Sequence, residues 1–134
     1  MFRTLIVEDS TFFRQLLKET LLSKFQSMDI LEAGSAEEAI KDMETSPPDL
    51  VFVDIKLPGE NGLELTKKIK EKYPNVPVII LTSYDLPEYR EAARRYQANY
   101  FLSKGATTKE NILTLVNSIL LGRKSGPEGE EERV

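Results

Sequence analysis

The feature that most constrains this chain is an alternation of five short apolar runs with longer amphipathic stretches. The runs are Leu5-Ile6-Val7, Ile30-Leu31, Leu50-Val51-Phe52-Val53, Val78-Ile79-Ile80-Leu81 and Tyr100-Phe101-Leu102. The third and fourth are continuous, as in strands covered on both faces. Between the runs, apolar residues recur at helical spacing. Phe13, Leu17, Leu21 and Phe25 form one such series, and Ala36, Ala39, Ile40 and Met43 another. Leu63, Leu65, Ile69 and Tyr73 follow, then Tyr89, Ala92, Ala93 and Tyr96, then Ile112, Leu115, Val116, Ile119 and Leu120. Ser35 with Glu38 three residues on is a capping-box pattern. Pro47-Pro48 lead into the third run, and Pro74 and Pro77 bracket the entry to the fourth. Thr107 or Thr108 can cap the last helix, and Gly122 can end it. Strict strand–helix alternation with short loops predicts an α/β fold: a parallel sheet with helices on both faces, a three-layer (βα)5 sandwich. For five strands the common doubly wound order is 2-1-3-4-5.

A chain of 134 residues fits one domain, expected over residues 1–122. Residues 123–134 carry Gly, Pro and a glutamate cluster, and read as a flexible acidic tail or the start of a linker. The sequence has no cysteine and no histidine. That excludes disulfides, thiolate or imidazole metal sites, and chemistry run by a histidine base. The net charge of −4 disfavours direct nucleic-acid binding, because phosphate backbones attract basic surfaces. No apolar run approaches the roughly 20 residues that cross a bilayer, and the N-terminus lacks a cleavage-site pattern. A cytoplasmic protein without membrane insertion is expected.

The polar residues that close the strands carry the chemistry. Glu8 and Asp9 follow the first run, Asp54 the third, Thr82 the fourth and Lys104 the fifth. In the order 2-1-3-4-5 these strands are neighbours. Their closing side chains therefore meet at the carboxyl edge of the sheet, where open parallel sheets bind ligands. Three carboxylates gathered there repel one another. A divalent cation relieves that repulsion, and an all-oxygen donor set favours Mg2+ or Mn2+ over zinc. Lys104 offers a compact positive charge for a phosphoryl oxygen, and Thr82 a hydroxyl donor. A carboxylate nucleophile, a metal, a lysine and a hydroxyl together suit phosphoryl transfer, which needs mostly positioning and charge neutralisation. Each residue alone has an ordinary explanation as a solvated loop or turn residue; the coincidence of four strand ends is the argument.

These residues resemble the receiver domain of bacterial two-component response regulators, over roughly Phe2 to Leu121. The matching segments run from Leu5 to Ser10, Asp49 to Glu64, Val76 to Ser83 and Tyr100 to Lys104. Asp54 closing an apolar strand, Leu57-Pro58 and Gly62 opening the next helix form the most specific of them. The resemblance implies a CheY-like, flavodoxin-like fold and a phosphoprotein of a phosphorelay. Asp54 is then the phosphoacceptor, with Lys104 and Thr82 contacting the phosphoryl group. Asp9 is a direct Mg2+ ligand and Glu8 one mostly through water, with Asp54 and the backbone carbonyl of Lys56 completing the set. Thr82 and Phe101 are the switch pair. Attachment of the phosphoryl group draws the Thr82 hydroxyl inward, and the Phe101 ring fills the space. The implied partners are a histidine kinase or histidine phosphotransfer protein, and a downstream target or output domain met by the face of helix 4, strand 5 and helix 5. Such a domain signals and is not an enzyme acting on other molecules, although it assists its own phosphorylation and dephosphorylation. Lys56 and Tyr84 occupy positions that tune acyl-phosphate hydrolysis, and Tyr84 is expected to shield the site from water.

Two departures stand out. Gly105 follows Lys104 where the family often has proline after a cis bond, and a cis bond here would cost about 3 kcal/mol. Gln97-Ala98 replaces the Gly-Ala that often ends helix 4, so that cap must differ. Three rival readings fit less well. A haloacid-dehalogenase-type phosphatase needs an acid two residues after its nucleophile, where this chain has Lys56. A flavin- or nucleotide-binding module of the same topology would want a Gly-rich or hydroxyl-rich phosphate loop after the first strand, where Glu8-Asp9-Ser10 would repel phosphate unless a metal intervened. A receiver-like module that has lost phosphorylation would lack one of Asp54, Thr82 and Lys104. With no output segment after the last helix, the chain reads as a stand-alone receiver or a piece of a longer regulator.

Overall fold

The computed structural model describes residues 1–125, with side chains to residue 122. The elements alternate as expected: β1 (Arg3–Val7), α1 (Thr11–Lys24), β2 (Asp29–Ala33), α2 (Ala36–Thr45), β3 (Leu50–Val53), α3 (Gly62–Lys72), β4 (Val78–Thr82), α4 (Pro87–Arg95), β5 (Tyr100–Ser103) and α5 (Lys109–Ser125). The strands form one parallel sheet in the order β2-β1-β3-β4-β5.

Strand side chains alternate between faces, and that alternation sorts the core into layers. Ile6, Leu50, Phe52, Ile79, Leu81, Tyr100 and Leu102 meet Leu17 and Leu21 of α1 and Ile112, Leu115, Val116 and Ile119 of α5. Leu5, Val7, Val51, Val53 and Val78 point the other way, onto Ala36, Ala39 and Met43 of α2 and Leu65 and Ile69 of α3. Ile80 and Phe101 complete that second face with Leu63 and Ala93. Every residue of β3 and β4 is buried, which explains their unbroken apolar runs.

The helix ends follow local chemistry. Ser10 caps α1 by accepting from Phe13 N–H. Ser35 caps α2 by accepting from Glu38 N–H, while the Glu38 carboxylate accepts from Gly34 N–H. The return bond of this capping box thus reaches one residue further back than usual. Thr108, rather than Thr107, caps α5 through Asn111 N–H. At the end of α4, Gln97 adopts φ 69°, the left-handed position usually given to glycine. Ala98 N–H bonds Ala93 O, and Gln97 N–H bonds Arg94 O. These are the two bonds of a Schellman motif, closed here without glycine. Gly122 does not end α5, which continues to Ser125. Glycine inside a helix costs only about 1 kcal/mol against alanine, and it terminates one only where a positive φ is needed. Of the expected tail, residues 123–125 continue the helix, and the rest lies outside the described residues.

Candidate functional site

The sheet hydrogen bonds continue one residue past the strands and so fix the direction of the closing side chains. Glu8 N–H donates to Ala33 O, Asp54 N–H to Val7 O, and Lys104 N–H to Thr82 O. Three side chains converge as a result. Lys104 Nζ lies 2.8 Å from Glu8 Oε1 and 3.2 Å from Asp54 Oδ2. The remaining oxygens are held by backbone: Glu8 Oε2 accepts from Ser10 N–H and Asp54 Oδ1 from Ile55 N–H. Two nearly buried carboxylates thus share one ammonium, leaving a net negative charge. Burial pushes the Glu8 carboxyl up, and the neighbouring Asp54 charge adds to it; Lys104 and Ser10 N–H only partly offset this. Burial pulls the Lys104 ammonium down, but the two carboxylates outweigh it and hold its pKa above the ordinary lysine value.

Asp54 is further fixed from behind by the start of α3. Asn61 caps that helix, and Gly62 N–H donates to Ile55 O. A Cβ at position 62 would stand 2.0 Å from the carbonyl oxygen of Asp54. Only glycine lets α3 begin this close to the end of β3.

The other expected site residues lie around this centre. Thr82 is fully buried at the end of β4, with its hydroxyl accepting from Tyr84 N–H. The Phe101 ring is already inside, against Ile80, Ile55, Leu63 and Ala93, and the Arg90 guanidinium covers it at 4.7 Å. The exposed Lys56 reaches toward the β4–α4 loop, its ammonium 4.9 Å from the Tyr84 ring centre and 5.8 Å from that of Tyr89. Asp9 is exposed and is not drawn into the Glu8–Asp54–Lys104 triad. Among the described residues no three metal-binding side chains form a ready group. The donor chemistry still fits a hard cation: oxygens only, two carboxylates against one lysine, and a third carboxylate on the adjoining residue. The Lys104–Gly105 bond is trans, with no cis bond among the described residues.

This crevice at the carboxyl ends of β1, β3, β4 and β5 matches a known family. The model of the response regulator receiver domain matches residues 4–117. The chain belongs to the response-regulator receiver domain family. Chemotaxis protein CheY of Halobacterium salinarum is 32% identical over 118 residues, covering 88% of this chain and 96% of that protein. A protein-glutamate methylesterase/protein-glutamine glutaminase of Bacillus subtilis is 39% identical over 83 residues, 62% of this chain but only 23% of the relative. The chain therefore spans about a quarter of such multidomain relatives and nearly all of CheY. Among solved structures, a CheY-like receiver domain protein from Methanospirillum hungatei superposes with a TM-score of 0.83 at 26% identity, covering 94% of this chain and 99% of that one. The structure of response regulator Rcp1, in a Mn2+-bound form, shares the fold with a TM-score of 0.79 at 24% identity. As a receiver domain of two-component signalling, this chain carries the family's phosphoacceptor role. Receiver domains typically bind a divalent metal and communicate with kinases and output domains. Among the described residues no helix is long and apolar enough to cross a membrane.

Several neighbours of this receiver's crevice were not singled out from the sequence. Ser10 was legible in principle, as a cap before the helical series that starts at Phe13. Arg14, which donates to the backbone carbonyl of Glu8, gave no local signal. Nor did Phe13, whose ring lies 4.0 Å from the Lys104 ammonium, since the two residues are far apart in the chain.

Proposed function

We propose that Asp54 is the acceptor and that it takes its phosphoryl group from a histidine kinase or histidine phosphotransfer protein, with Mg2+ bound in the crevice. The observation that carries this is the triad: Lys104 held between Glu8 and Asp54 at the carboxyl edge of the sheet. A carboxylate oxygen of Asp54 is the nucleophile, and Lys104 is already in contact with it, placed to follow negative charge onto a phosphoryl oxygen. Glu8, Asp9, Asp54 and the Lys56 carbonyl would hold the metal. Mg2+, or Mn2+ in its place, would supply a Lewis acid that neutralises the carboxylates and the incoming phosphate.

Thr82 supplies the link to the surface. Its hydroxyl engages Tyr84 N–H, and a phosphoryl group on Asp54 would compete for it. Because the Phe101 ring is already inward, the gain on phosphorylation comes from that hydroxyl contact and the resettling of the loop after β4, rather than from long travel of the ring. The face of α4, β5 and α5 then changes its affinity for a downstream protein or output domain, by as much as the phosphoryl group distinguishes the two states. In this reading the protein works in the cytoplasm as a signalling component and neither binds nucleic acid directly nor catalyses reactions on other molecules.

The test is incubation with acetyl phosphate or beryllofluoride plus Mg2+. Acetyl phosphate should leave one phosphoryl group per wild-type chain and none on Asp54→Asn. Beryllofluoride, which only mimics the phosphoryl group, should bind wild type and not the variant. Equal labelling of both by acetyl phosphate would move the acceptor elsewhere. For Tyr84, whose ring stands beside Lys56 at the mouth of the crevice, Tyr84→Ala should dephosphorylate several-fold faster, in line with the usual contribution of water exclusion and positioning. An unchanged decay rate would remove Tyr84 from that role.

A further inference from the structure

The environment of the Lys104 ammonium points to a residue with no place yet in this chemistry. Two of its sides face carboxylates, Glu8 at 2.8 Å and Asp54 at 3.2 Å. Another side faces the ring of Phe13, whose centre lies 4.0 Å from Nζ, well inside the range of a cation–π contact. The lysine side chain is only 16% exposed, so this contact is largely shielded from water. Phe13 is also held in place. Its ring packs on the α1/α5 side of the core beside Leu17. Its N–H donates to Ser10 Oγ, and Ser10 N–H donates to Glu8 Oε2. One turn therefore fixes both the carboxylate and the ring that flank the ammonium.

We infer that Phe13 is a positioning residue for Lys104: its ring face holds the ammonium at the crevice and excludes water from its third side. The inference deepens the assignment of Asp54 and rests on it. An aromatic face attracts a cation without offering an oxygen that binds it strongly. A carboxylate or a water in that place would compete for the ammonium during reaction. The ring does not, so Lys104 stays in the pocket yet remains free to follow charge from Asp54 to the phosphoryl group. With acetyl phosphate, an Asp54 oxygen attacks phosphorus and the new O–P bond forms. The bond from phosphorus to the acetate oxygen breaks, and acetate leaves with the electron pair. Negative charge builds on the phosphoryl oxygens during that exchange, and the position of Lys104 decides how much of it is neutralised.

The experiment uses the full chain with phenylalanine 13 replaced by its mono-, di- and trifluorinated analogues, which keep ring size while draining the ring face of negative potential. Rates of phosphorylation by acetyl phosphate with Mg2+ should fall stepwise with each fluorine, about three- to tenfold across the series. Phe13→Leu should match the bottom of the series, Phe13→Tyr should stay near wild type, and Phe12→Leu, at the exposed neighbouring position, should leave the rate unchanged. In the metal-free protein, NMR should show the Lys104 side-chain protons shifted upfield by the ring current, with the shift lost in Phe13→Leu. Circular dichroism of each variant confirms that the fold is intact. A flat rate across the fluorine series, or no ring-current shift in wild type, would overturn the positioning role and leave Asp54 as acceptor. Failure of wild type to take up any phosphoryl group would overturn the acceptor assignment, and the positioning role with it.

Discussion

Two charge clusters lie beside β1, and each inverts the other. In the crevice one cation, Lys104, serves two carboxylates, Glu8 and Asp54. On the flank one carboxylate, Glu32 of β2, serves two cations of α1, Arg14 at 3.1 Å and Lys18 at 3.0 Å. The crevice is nearly closed to water, with side-chain exposures of 5% for Glu8 and 8% for Asp54, whereas Glu32 is 31% exposed. Two glutamates consequently move in opposite directions. Burial drives Glu8 up. Burial also pushes Glu32 up, but its bonds to Lys18 and Arg14 reverse this and leave it lowered. The flank is a tie between α1 and β2. The crevice is an unfinished charge balance, which a further cation can complete and a reaction can exploit. Arg14 joins the two, since it bonds both Glu32 and the carbonyl of Glu8.

The largest effect that would sharpen this contrast comes from removing the shared cation. Lys104→Met leaves two buried carboxylates unpaired and should cost on the order of 3 kcal/mol at pH 7 in denaturant unfolding, while abolishing measurable phosphorylation. The pH dependence has a definite sign. Without the lysine, Glu8 is raised further above its unfolded value, and a raised carboxyl costs stability only where it is ionised. The deficit of the variant relative to wild type should therefore shrink as pH falls toward 4.5, the ordinary glutamate value. A deficit as large at pH 5 as at pH 7 would show that lost packing, not unpaired charge, is responsible. Adding Glu8→Gln to Lys104→Met should recover much of the loss at neutral pH.

A smaller effect tests whether the crevice accepts a second cation. Mg2+ at ten times its dissociation constant should stabilise wild type by about 1.4 kcal/mol. Asp9→Asn should weaken this response and Glu32→Gln should leave it intact. An undiminished response in Asp9→Asn would remove Asp9 from the ligand set. The smallest effect belongs to the flank itself. Glu32→Gln should cost less than about 1 kcal/mol at pH 7, because the pairs are partly exposed. Glu32 has a folded pKa below its unfolded one, so its contribution is complete above the unfolded value near 4.5 and is lost as pH falls through the lowered one. Raising the salt concentration should erode it, and insensitivity to salt would contradict this account.

The fold was largely legible because β3 and β4 are built on unbroken apolar runs, the other strands carry shorter ones, and the helices follow clear periodic patterns. Gly122 offers an end to α5 in the sequence, but nothing there demands a left-handed residue and the helix runs on to Ser125. At α4 the reverse holds: Gln97 takes a glycine-like φ that its side chain did not announce. The placement of Asp54, Thr82 and Lys104 at strand ends could be read from the sequence. Which member of the pair Glu8 and Asp9 turns inward could not, because adjacent residues past a strand are separated only by the path of the loop. That path is set here by Glu8 N–H on Ala33 O and Ser10 N–H on the Glu8 carboxylate. Contacts such as Phe13 with Lys104 join distant parts of the chain, and no local pattern encodes them.

Gly62 limits how such a domain can be rebuilt. A single added carbon there would collide with the Asp54 carbonyl at 2.0 Å. Anyone retuning this scaffold toward a new partner can rewrite the outer surfaces of the helices at will, whereas the first residue of α3 behaves as a keystone. Displacing it by even one methyl would shift Asp54 and the end of β3 with it.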